Sequence, residues 1–264
     1  MLNMKDTTVK YSEAGIHKAA MPIGKMFVLA FMAGMFISFA GVASTMASST
    51  IDSPSVAKLV SALVFPAGLA MVVLNGSELF TGNNLMIISV LDKRIRIPAM
   101  LKNWTIVYIG NFAGSIFVTG LFTIAHEYSL FNNAVAKSVI TIAVNKCNLS
   151  MTDAFIKAFF CNILVCVAVM LAMTAESAPG KIASLFLPIM VFVMSGFEHS
   201  VANMSYISGG LFVQAEYGTL GLDTAGLTWY NFLVSNLVPV TLGNIAGGLF
   251  TGILYWFTGK GSKQ

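Results

Sequence analysis

The 264-residue sequence predicts an all-α integral membrane protein of six transmembrane helices. They form two inverted three-helix repeats whose second and fifth helices are broken. Three observations carry that prediction. The composition is 56% hydrophobic and 10% charged with mean hydropathy +0.80, whereas a soluble domain carries about 25% charged residues. Two long apolar runs are interrupted by charged, glycine-containing stretches, G-S-E-L-F at 76–80 and G-F-E-H-S at 196–200. A G-N-x-A-G pattern follows each interruption, at 110–114 and at 243–247. The apolar runs are continuous rather than alternating in ~10-residue segments, which excludes a membrane barrel.

The elements follow in order. Residues 1–25 are polar and mixed in charge, and predict a short surface helix ended by Pro22. Residues 26–51 run without a charge until their end and form the first span, with Gly34 and Gly41 suited to close helix packing in lipid. The first apolar run starts behind that polar leader and is long enough to span, so no signal peptide is expected. The second span starts near Leu59, breaks at 75–83 and resumes to Leu91, before a basic turn, D-K-R-I-R-I-P, at 92–98. Residues 103–125 are the third span. Residues 126–157 are a longer polar connection with room for a short helix. The fourth span covers 158–175, the fifth 182–213 around its break, and the sixth 227–257 after a loop at 214–226.

This gives an N-terminal segment (1–25), one membrane domain (26–257, repeats about 26–126 and 154–257) and a tail (258–264). Three spans per copy is odd, so the second copy is inverted. Paired breaks in inverted repeats point to a transport site at the membrane midplane. Eleven Lys and Arg fall on the side of the termini and four on the other (Lys58, Lys137, Lys146 and Lys157), which places both termini in the cytoplasm. The formal charge of +4 reflects this clustering at membrane ends and gives no indication of a nucleic-acid partner. Cys147, Cys161 and Cys166 show neither a disulfide framework nor metal-ligand spacing, and no cofactor motif is present.

The breaks carry the chemistry. Irregular backbone at membrane depth is tolerated only where it is buried in protein or lines a watery cavity. A half-helix starting near Asn83 would turn its free amides and positive dipole end toward the loop that holds Thr81, a geometry that favours anions. Thr81 then holds a small anion, or caps the half-helix, or does both. His199, at the second break, is a proton donor, a pH switch or a hydrogen-bond donor to an anion. A bare carboxylate on an anion path would repel its substrate. Glu78 and Glu198 are therefore expected to be structural, accepting bonds from loop amides or bridging to a neighbouring span. Asn111 and Asn244 do similar work, with Asn244 the better placed to reach the pore. Lys146 attracts anions into a vestibule or is an ordinary solvated loop lysine. Phe65, Leu69, Leu79, Phe80, Phe192 and Phe197 flank the breaks, and those that face the pore form dry constrictions.

V-L-N-G-S-E-L-F-T-G at 73–82 and A-F-F-C-N-I-L-V-C-V-A at 158–168 resemble the two signature motifs of the formate/nitrite transporter family. F-E-H-S-V-A-N-M at 197–204 and L-G-N-I-A-G-G at 242–248 are similar to that family's pattern too. The resemblance implies an aquaporin-like protomer in a homopentamer, each protomer with its own pore in the plasma (bacterial inner) membrane. It implies that Thr81, His199, Lys146 and Asn244 line the path and that Phe65, Leu69, Leu79 and Phe192 constrict it. Asn162, inside the second motif, is expected to serve the helix breaks structurally. Members move formate, nitrite, hydrosulfide or lactate, often with proton coupling. The chain looks most similar to the hydrosulfide-channel branch, which makes hydrosulfide the first expectation and formate or nitrite the next. A neutral-solute pore for water or glycerol is the rival reading. An enzyme using Glu198 and His199 as an acid–base pair lacks a nucleophile, metal cluster or cofactor motif.

Overall fold

The computed structural model describes residues 2–259, and the regular structure among them is entirely helical. The chain runs α1 (Met4–Ala20), α2 (Ile23–Ser48), α3 (Pro54–Val64), α4 (Pro66–Leu74), α5 (Phe80–Asn83), α6 (Ile87–Leu91) and α7 (Ile97–Ile124). The second half continues with α8 (Leu130–Cys147), α9 (Met151–Thr174), α10 (Ala178–Met194), α11 (Ser200–Tyr217) and α12 (Val238–Gly259). A π-helical stretch, Asn231–Leu237, leads into α12. Helices α3 and α4 form one kinked span, because Pro66 has no N–H to continue the ladder. Among the described residues, five segments are long and apolar enough to cross a membrane: Ile23–Ser48, Pro54–Leu74, Ile97–Ile124, Met151–Thr174 and Asn231–Gly259. The remaining crossing is made in two pieces, α10 and α11. Most of the predicted tail (260–264) lies outside the described residues.

The repeat unit is larger than the three spans expected. Helix α1 precedes α2 as α8 precedes α9, and both amphipathic helices pack into the body. Thr7, Thr8, Tyr11, Ser12 and Gly15 are buried where α1 meets α6, α9 and α12. In α8, Val135, Ala136, Val139, Ile140 and Ala143 are buried, and the helix packs chiefly on α11. Residues 126–157 are therefore mostly a packed helix rather than a polar connection. Its right-handed part begins at Ala134, after three left-handed residues, Phe131, Asn132 and Asn133.

The G-N-x-A-G glycines let backbones touch. Helix α7 lies against α2, and α12 lies against α9. A Cβ on Gly114 would fall on the Phe31 carbonyl, and one on Gly247 on the Phe159 carbonyl. Small residues at helix interfaces substitute for a hydrophobic driving force that lipid does not supply.

Each break is closed in the same way. Gly76 (φ +63°) and Gly196 (φ +67°) adopt the left-handed conformation that glycine takes freely. Gly76 N–H donates to the Val73 carbonyl and Ser77 N–H to Val72; Gly196 N–H donates to Val193 and Phe197 N–H to Phe192. That is the Schellman ending, which satisfies otherwise orphaned carbonyls. The chain then runs extended for three residues before helix resumes at Phe80 and at Ser200.

Gly247→Leu should lower stability by about 2–3 kcal/mol through overpacking. It would appear as a fall in the thermal midpoint of the full-length protein in detergent. Gly24→Leu, where a Cβ meets nothing within 4 Å, should leave the midpoint unchanged.

Candidate conduction path

The two breaks are fastened by one asparagine each. Asn111 Oδ1 accepts the Phe80 N–H at 2.9 Å, while its amide donates to the Ala30 and Glu78 carbonyls at 2.8 and 2.9 Å. Asn244 repeats the pattern: Oδ1 accepts the Ser200 N–H at 2.8 Å, and the amide donates to Ala158 and Glu198 at 2.9 and 3.0 Å. Asn244 was expected to line the path. It was also expected to do structural work like Asn111, and these three bonds are that work, because the first N–H of a half-helix has no intrahelical partner.

A second layer ties each break to an amphipathic helix. Lys18 of α1 donates to Glu78 Oε1 at 2.7 Å and to Asn83 Oδ1 at 2.9 Å. Asn83 donates to Glu78 Oε2 at 2.6 Å and to Asn103 at 2.9 Å. In the other half Lys146 of α8 pairs with both Glu198 oxygens at 2.9 Å. Asn203 donates to Glu198 Oε2 at 2.6 Å and to Asn236 at 2.8 Å, and Asn236 donates to the Lys146 carbonyl at 2.8 Å. The glutamate side chains thus accept from lysine and asparagine side chains of the helices around them rather than from loop amides, the first of the two structural roles expected of them. Asn162 stitches across the breaks, donating to the Thr81 carbonyl, Asn84 Oδ1 and the Asn244 carbonyl at 3.2, 2.8 and 2.6 Å.

Thr81 and His199 meet where the two breaks converge, with Thr81 Oγ1 at 2.9 Å from His199 Nε2. Two expectations change here. The half-helix starts at Phe80, not near Asn83, so Thr81 sits in its first turn rather than in the loop. Thr81 does not cap that helix either: Leu79 is the cap residue, with no side-chain bond. His199, by contrast, does cap α11, its Nδ1 accepting the Ala202 N–H at 3.0 Å. A neutral imidazole has one donor and one acceptor nitrogen. With Nδ1 accepting, the hydrogen-bond pattern assigns the proton to Nε2, which donates to Thr81 Oγ1. The Thr81 hydroxyl hydrogen is then free for a third group.

Around this pair the lining is apolar and tight. Phe65, Leu69, Leu79 and Phe192, joined by Ile37, Val165 and Ile189, enclose with His199 a cavity of about 10 Å³, which is about room for one water. Phe65 and Phe192 stand edge to face, 5.6 Å between centroids, and Phe192 stacks on the His199 ring at 6.0 Å. A vestibule opens on each side. One, of about 260 Å³, is floored by Phe65 and Phe192 and lined by Lys146 and Glu198. The other, of about 190 Å³, meets Leu69 and Leu79 and is lined by Lys18, Ser77 and Tyr11. We call them the α8 and α1 vestibules. Phe80 lies off this line, against Trp104 and Tyr108, whereas Phe197 lines the α8 vestibule and stacks on Phe160.

Sequence reasoning missed Lys18, Asn83, Asn103, Asn203 and Asn236. One signal was present: an asparagine follows the glutamate by five residues at both breaks. Lys146 is not a solvated loop lysine, since its side chain is 15% exposed and its ammonium is ion-paired and lies 5.5 Å from the centre of the Tyr206 ring.

Two half-helices converging at the centre of an inverted repeat, with a dry constriction between polar vestibules, define an aquaporin-like membrane transport protein. The model of the family described as "Formate/nitrite transporter" matches residues 5–257. The chain belongs to that family, one of channels and transporters rather than enzymes, and is a multi-pass membrane protein. It is 40% identical to a "Probable formate transporter" of Methanothermobacter thermautotrophicus, over 96% of this chain and 95% of that protein. It is 36% identical to "Formate channel FocA" of Escherichia coli K12, over 92% of this chain and 90% of that one. A solved structure described as "Pentameric formate channel with formate bound" superposes with TM-score 0.79 at 35% identity, covering 89% of this chain and 97% of that one. Another, described as "FNT family ion channel", gives TM-score 0.85 at 29% identity, covering 96% and 98%.

Lys18→Met strands Glu78 in the interior without its counter-charge and should cost about 3 kcal/mol of stability. The double variant Lys18→Met/Glu78→Gln should recover more than half of that. Denaturant unfolding in one detergent reads both, and an equal loss in single and double variants would rule out charge as the cause.

Proposed function

We propose that the protein is a channel for a small monovalent anion, formate first, with Thr81 and His199 as its central contact. The observation that carries this reading is the hydrogen bond between Thr81 and His199 where the two breaks converge, with His199 lining the small, otherwise apolar cavity. The His199 Nε2–H turned toward Thr81 Oγ1 leaves the threonine hydroxyl hydrogen for a carboxylate oxygen. An ionised carboxylate alone in an apolar passage costs far more than its neutral acid. The anion therefore crosses with a proton or through a brief opening at Phe65 and Phe192, and flux rises as pH falls.

Formate heads the order of substrates because the relatives named above carry it in their descriptions. None of those descriptions names hydrosulfide, and nitrite appears only in the family's name. Pentamery is proposed on the solved structure described as pentameric, with one path per protomer. Residues 26–257 are taken as one membrane domain. The Lys and Arg bias supports a plasma-membrane protein with both termini in the cytoplasm, so that the α1 vestibule faces inward.

Initial flux into proteoliposomes, for formate, nitrite, hydrosulfide and glycerol across external pH, tests the reading. Saturable formate flux that grows as pH falls is expected. His199→Asn keeps a residue well suited to capping α11 but loses the reach to Thr81. It should cut formate flux at least tenfold and flatten its pH dependence. Unchanged flux and pH profile in that variant would sink the proposal, as would glycerol flux alone, indifferent to pH.

A further inference from the structure

The two vestibules share their lysine–glutamate–asparagine braces but not their net charge. In the α1 vestibule the lining lysine, Lys18, is matched by Glu78. The α8 vestibule is lined by three lysines, Lys58 of α3, Lys146 of α8 and Lys157 of α9. Its lining carboxylate, Glu198, is saturated: Lys146 holds both oxygens at 2.9 Å and Asn203 holds Oε2 at 2.6 Å. Among the described residues neither Lys58 nor Lys157 has a carboxylate within ion-pair distance. Asp153, one turn before Lys157, is bonded to Ser150 instead. Three ammoniums and one carboxylate leave a formal charge of +2 in one concave site.

The fold does not require this excess. The Lys157 carbonyl receives the Glu198 N–H, and at the equivalent place in the first half the Leu29 carbonyl receives the Glu78 N–H. A leucine therefore does the structural work of Lys157 without its charge. Like charges gathered in a partly enclosed cleft repel one another and raise the local concentration of counter-ions. A dianion relieves both ammoniums at once. The cavity, about 260 Å³, is far larger than the constriction cavity of about 10 Å³ beneath it. A dianion can rest there, but carrying two charges past the apolar side chains of Phe65 and Phe192 costs far more than carrying one.

We propose that the α8 vestibule binds small dicarboxylates between Lys58 and Lys157, and that these compete with the permeating anion at the mouth without passing. Malonate is the probe. Calorimetric titration of the full-length protein in detergent, at fixed ionic strength, should show malonate binding at least tenfold tighter than propionate. Lys157→Leu, which installs the residue of the other half, should weaken malonate at least tenfold, and Lys58→Gln should do the same independently. In proteoliposomes malonate should raise the apparent KM for formate and leave the maximal rate alone. No malonate heat in the native protein, or equal affinity in both variants, overturns the proposal. Because binding is read without transport, malonate binding with no formate flux upholds this site and sinks the transport reading alone. Formate flux with no malonate binding does the reverse.

Discussion

The structure depends on one constraint: a helix broken inside a membrane must find partners for its freed backbone groups within the protein. Each unsatisfied group costs several kcal/mol in hydrocarbon. Asn111 and Asn244 meet that constraint by the same three bonds, one accepted from the new half-helix and two donated to carbonyls on either side. An amide side chain suits this because it offers both a donor pair and an acceptor on a short, rigid stem. It can reach only if α7 and α12 lie in backbone contact with α2 and α9. The glycines flanking each asparagine provide that contact, which is why the motif is G-N-x-A-G and not asparagine alone.

The lysine–glutamate pairs answer a different need. Taking two charges out of water is costly, and a buried pair is weak evidence for net stability. Lys18–Glu78 and Lys146–Glu198 do, however, fix where α1 and α8 sit. Each amphipathic helix is held to the extended stretch of a break at one charged point, and the paired asparagines leave the carboxylate few other partners. The vestibules are bounded as a result, and the constriction between them stays closed to bulk water.

Much of this was legible in the sequence because its signals are local. A glutamate and a glycine inside an apolar run announce a break, and two such breaks with two G-N-x-A-G patterns announce the inverted repeat. What was not legible is long-range. Nothing near Lys18 says that it will meet a carboxylate 60 residues on, so α1 read as a surface helix and the repeat as three spans. Residues 126–157 read as polar because α8 buries only one side against α11. The half-helix expected to start near Asn83 has already resumed at Phe80, three residues earlier, because Asn111, distant in sequence, receives its first N–H. Two roles stood open for Asn244, because an asparagine near a pore and one bonded to a backbone look alike until its neighbours are known.

Aligning the two halves on Glu78 and Glu198 separates what the fold needs from what the path needs. Asn83 falls on Asn203 and Gly76 on Gly196, and these matched residues all serve the breaks. Leu79 falls on His199 and Thr81 on Val201, so neither member of the central polar pair has a counterpart in the other half. A strictly symmetric centre would hold two histidines facing two threonines, or an apolar plug with no donor. The observed centre takes one residue from each half and yields a single donor chain, from His199 Nε2 to Thr81 Oγ1 and outward. The same reasoning applies at the mouths, where Leu29 and Lys157 occupy equivalent places but only one carries charge. Symmetry here builds the scaffold, and the departures from it provide the chemistry.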